Sequence, residues 1–258
     1  MTSQKESLDL SIVIPAFNEA AKIIRDMEEA AAFLSGQKFA SEVIVVDDGS
    51  TDGTADKARR ARIPEGPVRL RIFRMDHNSG KGGAVRRGVL ESRGEIVIVS
   101  DSGTCVPYTD ALKVIQHIRD DRLDIGVASR RHRETVIHLN RPLKRRILSR
   151  FFQLAARTFA GLPRSISDPQ CGFKVYRGEA ARQLFHDCRT TGYLFELEIL
   201  LRAFGQGLRI EEFPVAWTCD LDTRLKPASD APRVIKELLG IKKIVRNESQ
   251  EPEDGETA

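Results

Sequence analysis

The 258-residue chain lacks several features that would assign it to a class outright. No apolar run approaches the roughly 20 residues of a bilayer-crossing helix, which argues against an integral membrane protein. The N-terminal MTSQKESLDLSIVIPAFNEA has no basic region leading into a long apolar one, because its apolar run is short, β-branched and stopped by Pro15. No secretory leader is read, and a cytoplasmic location is expected. Cysteine is scarce: Cys105, Cys171, Cys188 and Cys219 form no CxxC pair, so neither a zinc site nor a disulfide framework is indicated. Reduced, mostly buried thiols are expected. Aromatics make up 6% of the chain, with a single tryptophan, and 41 Lys plus Arg against 37 Asp plus Glu leave a net charge of only +4. That excess is too small to mark a nucleic-acid binder. Apolar residues, at 41%, are too frequent for a disordered chain.

What is present is an alternation of short β-branched runs with longer helical segments, the pattern of a parallel sheet with crossover helices. Strands are expected at Leu10–Ile14, Glu42–Val46, Leu70–Arg74, Ile96–Ser100 and Asp124–Ala128. Helices are expected at Glu19–Leu34, Gly53–Arg60, Lys81–Ser92 and Tyr108–Arg119. The second and fourth strands run into Asp-containing turns, VVDDGSTDG and VSDSGTC. Ligands of open α/β sheets bind at the carboxyl ends of strands, so these turns mark the expected site.

From Arg130 to Arg157 the chain carries nine Lys or Arg and one acidic residue. Ile147, Phe151, Leu154 and Ala155 recur there at helical spacing, so a basic amphipathic helix is expected over Lys144–Arg157. It is either a solvated face or a phosphate or membrane-surface site. Next, SDPQCGFKVYRGEAARQLF, GYLFELEILLRAFGQGL and RIEEFPVAW read as strand, helix, helix, strand. A last amphipathic helix around Arg233–Val245 precedes an acidic tail that reads as disordered.

Three segments carry chemistry. In IVIPAFNEAAKI a tight turn follows the first strand, and Asn18 and Glu19 either cap the next helix or serve a ligand. In VIVVDDGSTDGT, Asp47 and Asp48 stand side by side at the end of a buried strand, which is unfavourable unless a ligand, a cation or backbone N–H groups receive them. An Asx turn with a cap at Asp52 accounts for one aspartate, and a ligand role is assigned to Asp48. In NSGKGGAVRRG, Gly80, Gly82 and Gly83 surround Lys81 at a helix start, an arrangement suited to a diphosphate but without the P-loop spacing.

Together with SDSGTCVP, ASRR, RRILSRFF, SDPQCGFKVY and FELEILLRA, these segments resemble the inverting family 2 glycosyltransferases. DPQCGFKVYRGEAA, GYLFELEILLRA and EEFPVAW look most like the polyprenyl- or dolichyl-phosphate glucosyl- and mannosyltransferase branch. The resemblance implies an α/β GT-A fold, Rossmann-like, with a mostly parallel sheet in a single domain closed by the C-terminal helix. Residues 1–129 would form its donor half and 130–245 its acceptor half, with 246–258 the tail. By similarity, Pro15, Ala16, Glu19 and Asp48 would hold the nucleotide base and ribose, and Lys81 would approach the nucleotide or its phosphates. The family's DxD turn holds Mg²⁺ or Mn²⁺ on the donor diphosphate. Here Asp101 remains as metal ligand while Gly103 stands where a second aspartate is expected, so a weakened metal site is implied.

Arg130 and Arg145 match positions near the acceptor phosphate or the donor, and arginine suits bidentate phosphate contacts. Asp168, Gln170, Glu196 and Glu198 are the remaining polar candidates, either at the site or as ion-pair partners of the arginines. The two glutamates would point to different helix faces, and Glu198 matches the more characteristic position, orienting an arginine or lining the acceptor side. Asp101, Arg130, Arg145, Asp168 and Glu198 thus form the implied catalytic set. Trp217 is expected in the core or the acceptor-channel wall. The implied reaction moves a hexose from an NDP-sugar, UDP-glucose before GDP-mannose, to polyprenyl phosphate with inversion. The implied setting is the inner face of an anionic membrane, with peripheral attachment, no nucleic acid, and an integral-membrane partner left open. Transfer to a soluble acceptor, or nucleotide-sugar binding without turnover because of Gly103, are the alternatives.

Overall fold

The computed structural model describes residues 8–37, 39–61, 68–139, 153–219 and 231–248. Strands β1 (Leu8–Ala16), β2 (Ser41–Asp47), β3 (Val68–Arg74) and β4 (Gly94–Ser100) alternate with helices α1 (Ile23–Gln37), α2 (Thr54–Arg59) and α3 (Lys81–Glu91). A 3-10 turn at Tyr108–Ala111 leads into α4 (Leu112–Arg119), followed by β5 (Ile125–Ala128) and β6 (Val136–Leu139). A π-helical turn at Ala156–Ala160 precedes β7 (Phe173–Arg177), α5 (Gly178–Asp187), α6 (Phe195–Gly205), β8 (Ile210–Phe213), β9 (Ala216–Thr218) and α7 (Ala231–Glu248).

The seven-stranded sheet has the order β3-β2-β1-β4-β7-β5-β8. All its pairings are parallel except those of β7, which runs antiparallel to both β4 and β5. The sequence alternation predicts the parallel part and not the reversal of β7. Alternate residues of the central strands enter opposite faces: Ile12, Val43, Val45, Ile96 and Ile98 pack with α1 and α4, whereas Val13, Ile44, Val46, Val97 and Val99 pack with α3, α5 and α6. Burial on both faces explains their unbroken β-branched runs, and each fully buried side chain contributes on the order of 1.5–3 kcal/mol.

Several expectations are corrected. Helix α1 starts at Ile23, four residues after Glu19, because the amides of residues 18–20 are bonded across to the second turn. RIEEFPVAW is two strands in two sheets: Pro214, which has no N–H to donate, separates β8 from β9, and β9 pairs with β6. Most of the expected Lys144–Arg157 helix, with Ile147 and Phe151, lies outside the described residues. In its described end Gln153 and Ala156 are buried while Leu154 is 62% exposed, so the buried side is not the apolar stripe read from the spacing. Helix α7 buries Leu238 and Ile241 and packs against the π-helical turn and α6. Those two residues are covered by protein, while Leu239 on the same helix is exposed. All four cysteines are thiols, Cys105 half-buried and Cys171, Cys188 and Cys219 buried, and Trp217 is in the core.

Candidate active site

The strand order reverses between β1 and β4, and the sequence-marked turns converge at the carboxyl ends of β1, β2 and β4. Pro15 and Ala16 end β1, and the Ala16 carbonyl accepts from the Asp48 amide at 2.8 Å. The first two turns are laced together: the amides of Asn18, Glu19 and Ala20 donate to Ser50 Oγ, Thr54 Oγ1 and Asp52 Oδ2, at 2.8, 2.9 and 3.0 Å. Asn18, in the left-handed region at φ 51°, returns its Oδ1 to the Thr51 amide at 2.9 Å. Asn18 and Glu19 thus tie the first turn to the second, and the Glu19 carbonyl accepts the Lys22 and Ile23 amides, both at 2.9 Å, at the entry to α1. Glu19 also meets Lys22 at 3.6 Å.

The adjacent aspartates are received by backbone N–H groups. Asp47 Oδ1 accepts from the Ser50 amide at 2.9 Å, and Asp48 accepts from the Ser79 and Gly80 amides at 2.7 and 2.9 Å. Asp48 is 3% exposed, and burial raises its pKa against the lowering effect of those two amides. The structure thus gives Asp48 a role as the post of the glycine loop. Further acceptance from a base would use its remaining lone pairs.

The glycines of that loop approach protein. A Cβ on Gly80 would lie 2.6 Å from the Thr191 carbonyl, and one on Gly82 would lie 2.7 Å from Phe195 Cβ and from the Thr190 carbonyl. The Gly83 amide donates to Thr191 O at 3.1 Å. The loop is thereby clamped between Asp48 and the segment before α6, which fixes the start of α3 and the stem of Lys81.

Lys81 is the centre of the site. Its Nζ lies 2.8 Å from Asp101 Oδ1, 3.1 Å from Asp101 Oδ2 and 3.5 Å from Glu196 Oε1, and it sits over the Phe195 ring at 5.6 Å. Glu196 Oε1 in turn meets the buried Lys174 Nζ at 3.1 Å, and Lys174 also donates to the Cys171 carbonyl at 2.7 Å. Burial opposes the charge on Lys81, but Asp101 and Glu196 outweigh it and hold the ammonium above its ordinary pKa. Burial likewise opposes ionisation of Glu196, and Lys174 and Lys81 outweigh it.

Asp101 begins the turn after β4. Its amide donates to Gly172 O at 3.0 Å, and a Cβ on Gly172 would overlap its carboxylate. Behind the turn, buried Asp26 accepts from Ser102 Oγ at 2.5 Å and from the Gly103 amide at 2.9 Å. Gly103 has φ 107° and Thr104 φ 43°, so the turn adopts a conformation at Gly103 that an aspartate would enter only under strain. Among the described residues no three His, Cys, Asp or Glu side chains gather as a metal cage. Asp101, 40% exposed at its side chain, fits one ligand position of a Mg²⁺ or Mn²⁺ whose remaining ligands are diphosphate oxygens and water, provided Lys81 moves aside.

On the β5 side, Arg130 Nε and Nη2 each lie 2.6 Å from an Asp168 oxygen, and Nη2 also donates to Gln170 O at 3.1 Å. Asp168 accepts the Arg130 amide as well, at 2.9 Å. Glu212 on β8 holds this loop by accepting the Ser167 and Asp168 amides at 2.8 and 2.7 Å. Arg130 lies 5.7 Å over Trp217. Its fork is therefore closed on Asp168, and any phosphate would meet the remaining edge. Glu198, fully buried, faces away from Glu196: it pairs with Arg202 at 2.8 Å and accepts the Arg189 and Thr190 amides at 3.0 and 2.8 Å. It orients an arginine, as one reading had it, and holds the 189–190 turn beneath the glycine loop. Arg145 lies outside the described residues.

Thus Asp101, Lys81 and Glu196 come together, Asp48 stands behind the loop carrying Lys81, and Arg130 with Asp168 flanks them. By resemblance Glu198 holds the more characteristic position, whereas the residue between Lys81 and Lys174 is Glu196. Asp26, Gly172, Lys174 and Glu212 were not singled out; only the glycine inside DPQCGF carried a signal, as a small residue beside an aspartate-bearing turn.

Residues 11–185 match the model described as Glycosyl transferase family 2. The chain belongs to that family. It is 36% identical over 233 residues to the dolichyl-phosphate beta-glucosyltransferase of Drosophila melanogaster, covering 86% of this chain and 70% of the relative. The Saccharomyces cerevisiae protein of the same name is 32% identical over 254 residues, covering 92% and 75%. Among solved structures, glucosyl-3-phosphoglycerate synthase from Mycobacterium tuberculosis in complex with Mn²⁺, UDP-glucose and phosphoglyceric acid superposes with a TM-score of 0.65. At 17% identity over 96% of this chain and 82% of that one, it shares the fold, which is that of the GT-A glycosyltransferases.

Proposed function

We propose that this family 2 glycosyltransferase moves a hexosyl group, glucosyl before mannosyl, from UDP-glucose or a similar NDP-sugar to polyprenyl phosphate with inversion. The observation that carries the donor side is the Lys81–Asp101–Glu196 constellation at the carboxyl ends of β1, β2 and β4, supported by the names of the dolichyl-phosphate relatives. Pro15, Ala16, Glu19 and Asp48 line the nucleoside end. Asp101 would hold Mg²⁺ or Mn²⁺, which when bound supplies positive charge to the departing diphosphate. Lys81 adds a second cation for the same charge.

The acceptor phosphate is already anionic near neutral pH, so its oxygen attacks the anomeric carbon as the bond from that carbon to the diphosphate oxygen breaks, and no strong general base is needed. What the protein supplies is positioning and charge. Arg130, aligned by Asp168 and Glu212, is the acceptor-side cation, and Arg145 is assigned with it. Glu198 acts through Arg202 and the 189–190 turn. Residues 1–129 serve the donor and 130–245 the acceptor, beside an anionic membrane surface on its inner face where the lipid lies. No helix among the described residues is long and apolar enough to cross a membrane. Attachment is assigned to the surface or to an integral-membrane partner.

The test incubates the purified chain with radiolabelled UDP-glucose or GDP-mannose and Mn²⁺. Polyprenyl phosphate in detergent or 3-phosphoglycerate serves as acceptor. Label in the lipid phase from UDP-glucose is expected. Label only in the soluble product would assign the second reading, which the fold neighbour's acceptor suggests, and no transfer to either would overturn the catalytic assignment.

A further inference from the structure

One carboxylate in this site has two claimants. Both oxygens of Asp101 lie within 3.1 Å of Lys81 Nζ. On the donor reading above, the same oxygens would take a divalent cation. An ammonium and a dication cannot share one carboxylate at contact distance inside a mostly buried site without strong repulsion. The surrounding charges allow the lysine to leave: Glu196 stands 3.5 Å from it on the other side, and Glu196 is itself pinned by Lys174. A lysine released from Asp101 therefore keeps a buried anionic partner, while Asp101 keeps its position through Gly172.

We infer that Lys81 occupies the cation position of Asp101 until the donor arrives, so that a divalent metal enters only together with the nucleotide diphosphate, which draws Lys81 onto itself. The lysine is then a positioning residue that sets the order of binding. It suppresses metal binding to the empty enzyme and couples metal to nucleotide. By linkage, the factor by which UDP tightens Mn²⁺ equals the factor by which Mn²⁺ tightens UDP.

The experiment titrates the full chain with Mn²⁺, reading free Mn²⁺ by electron paramagnetic resonance, with and without UDP, and titrates UDP by calorimetry with and without Mn²⁺. Wild type is expected to bind Mn²⁺ alone at least tenfold more weakly than Lys81→Met, and UDP is expected to tighten Mn²⁺ at least tenfold in wild type but much less in the variant. Lys81→Arg should behave as wild type, and adding Asp101→Asn to Lys81→Met should remove the gain. Equal Mn²⁺ affinity of wild type and Lys81→Met without UDP overturns the inference while leaving the donor reading intact. If wild type binds no UDP under any condition, the donor reading falls and this inference with it. Should Lys81→Met fail to fold, the wild-type arms decide: tight Mn²⁺ binding without UDP, or no coupling, overturns it.

Discussion

Replacing Gly172 by alanine should disable the site more than it destabilises the fold. The new methyl carbon would overlap Asp101 Oδ2 and Cγ and lie 2.6 Å from Oδ1. A carbon–oxygen contact relaxes at about 3.4 Å, so the carboxylate must retreat by roughly 1 Å or more, and a misplacement of that size costs on the order of 10²-fold in rate. The direction of retreat is open, because the Asp101 side chain is 40% exposed and swings toward solvent while Glu196 still faces Lys81 at 3.5 Å. The stability loss should therefore stay near the low end of the ~1–3 kcal/mol typical of overpacking. Lys81, in contrast, loses the ion pair at 2.8 Å that holds it. A matched control is Gly36→Ala, where a Cβ meets nothing within 4 Å on α1 and alanine should stabilise by up to ~1 kcal/mol. The assays are thermal melting and initial transfer rate on both variants. A Gly172→Ala enzyme that keeps its melting temperature and its rate within twofold would refute the claim that Gly172 sets the position of Asp101.

Glu198→Ala should cost about 3–5 kcal/mol, measured by urea unfolding, because it removes the buried carboxylate that pairs with Arg202 and receives two backbone amides. Arg130→Lys keeps the charge but loses the two-pronged contact with Asp168, so calorimetry should show weaker unfolding enthalpy and the transfer assay a higher KM for acceptor with the donor KM unchanged. A raised donor KM would contradict its acceptor-side placement. Gly103→Asp should lower the melting temperature through strain of about 1–3 kcal/mol at φ 107° without tightening Mn²⁺, and a gain of metal affinity in that variant would contradict the turn geometry. Glu196 and Glu198 both have pKa values below the ordinary glutamate value in the fold: burial opposes ionisation, but cations and amides outweigh it. A depressed folded pKa gives stability that is present above the unfolded value near ~4.3 and is lost as pH falls through the folded one. Melting temperature should hold from neutral pH to about that value and drop below it, and Glu198→Gln should flatten the drop.

The sequence alone determined the local chemistry. β-Branched runs set β1, β2 and β4 because burial on both faces demands them, whereas the edge strand β3 alternates apolar residues with arginine, and the Asp- and Gly-bearing turns marked the end of the sheet where the site lies. Pro15, Asp48, Lys81 and Asp101 were legible for the same reason: each sits at a strand or helix terminus, where the residue type carries a local constraint. The tertiary structure decided which of these groups meet. Asp48 spends its carboxylate on Ser79 and Gly80, 31 and 32 residues away, and the glycine loop packs on Thr190, Thr191 and Phe195. Lys81 reaches Glu196 across 115 residues of sequence, and β7 enters the sheet reversed to bring Lys174 and Gly172 beside them. Helical spacing separated Glu196 from Glu198 but did not say which one faces inward. That choice depends on the charges waiting at each face, Lys81 and Lys174 for one and Arg202 with two amides for the other. No local pattern encodes contacts of that range, because they are fixed only when the sheet closes and buried charges must find partners.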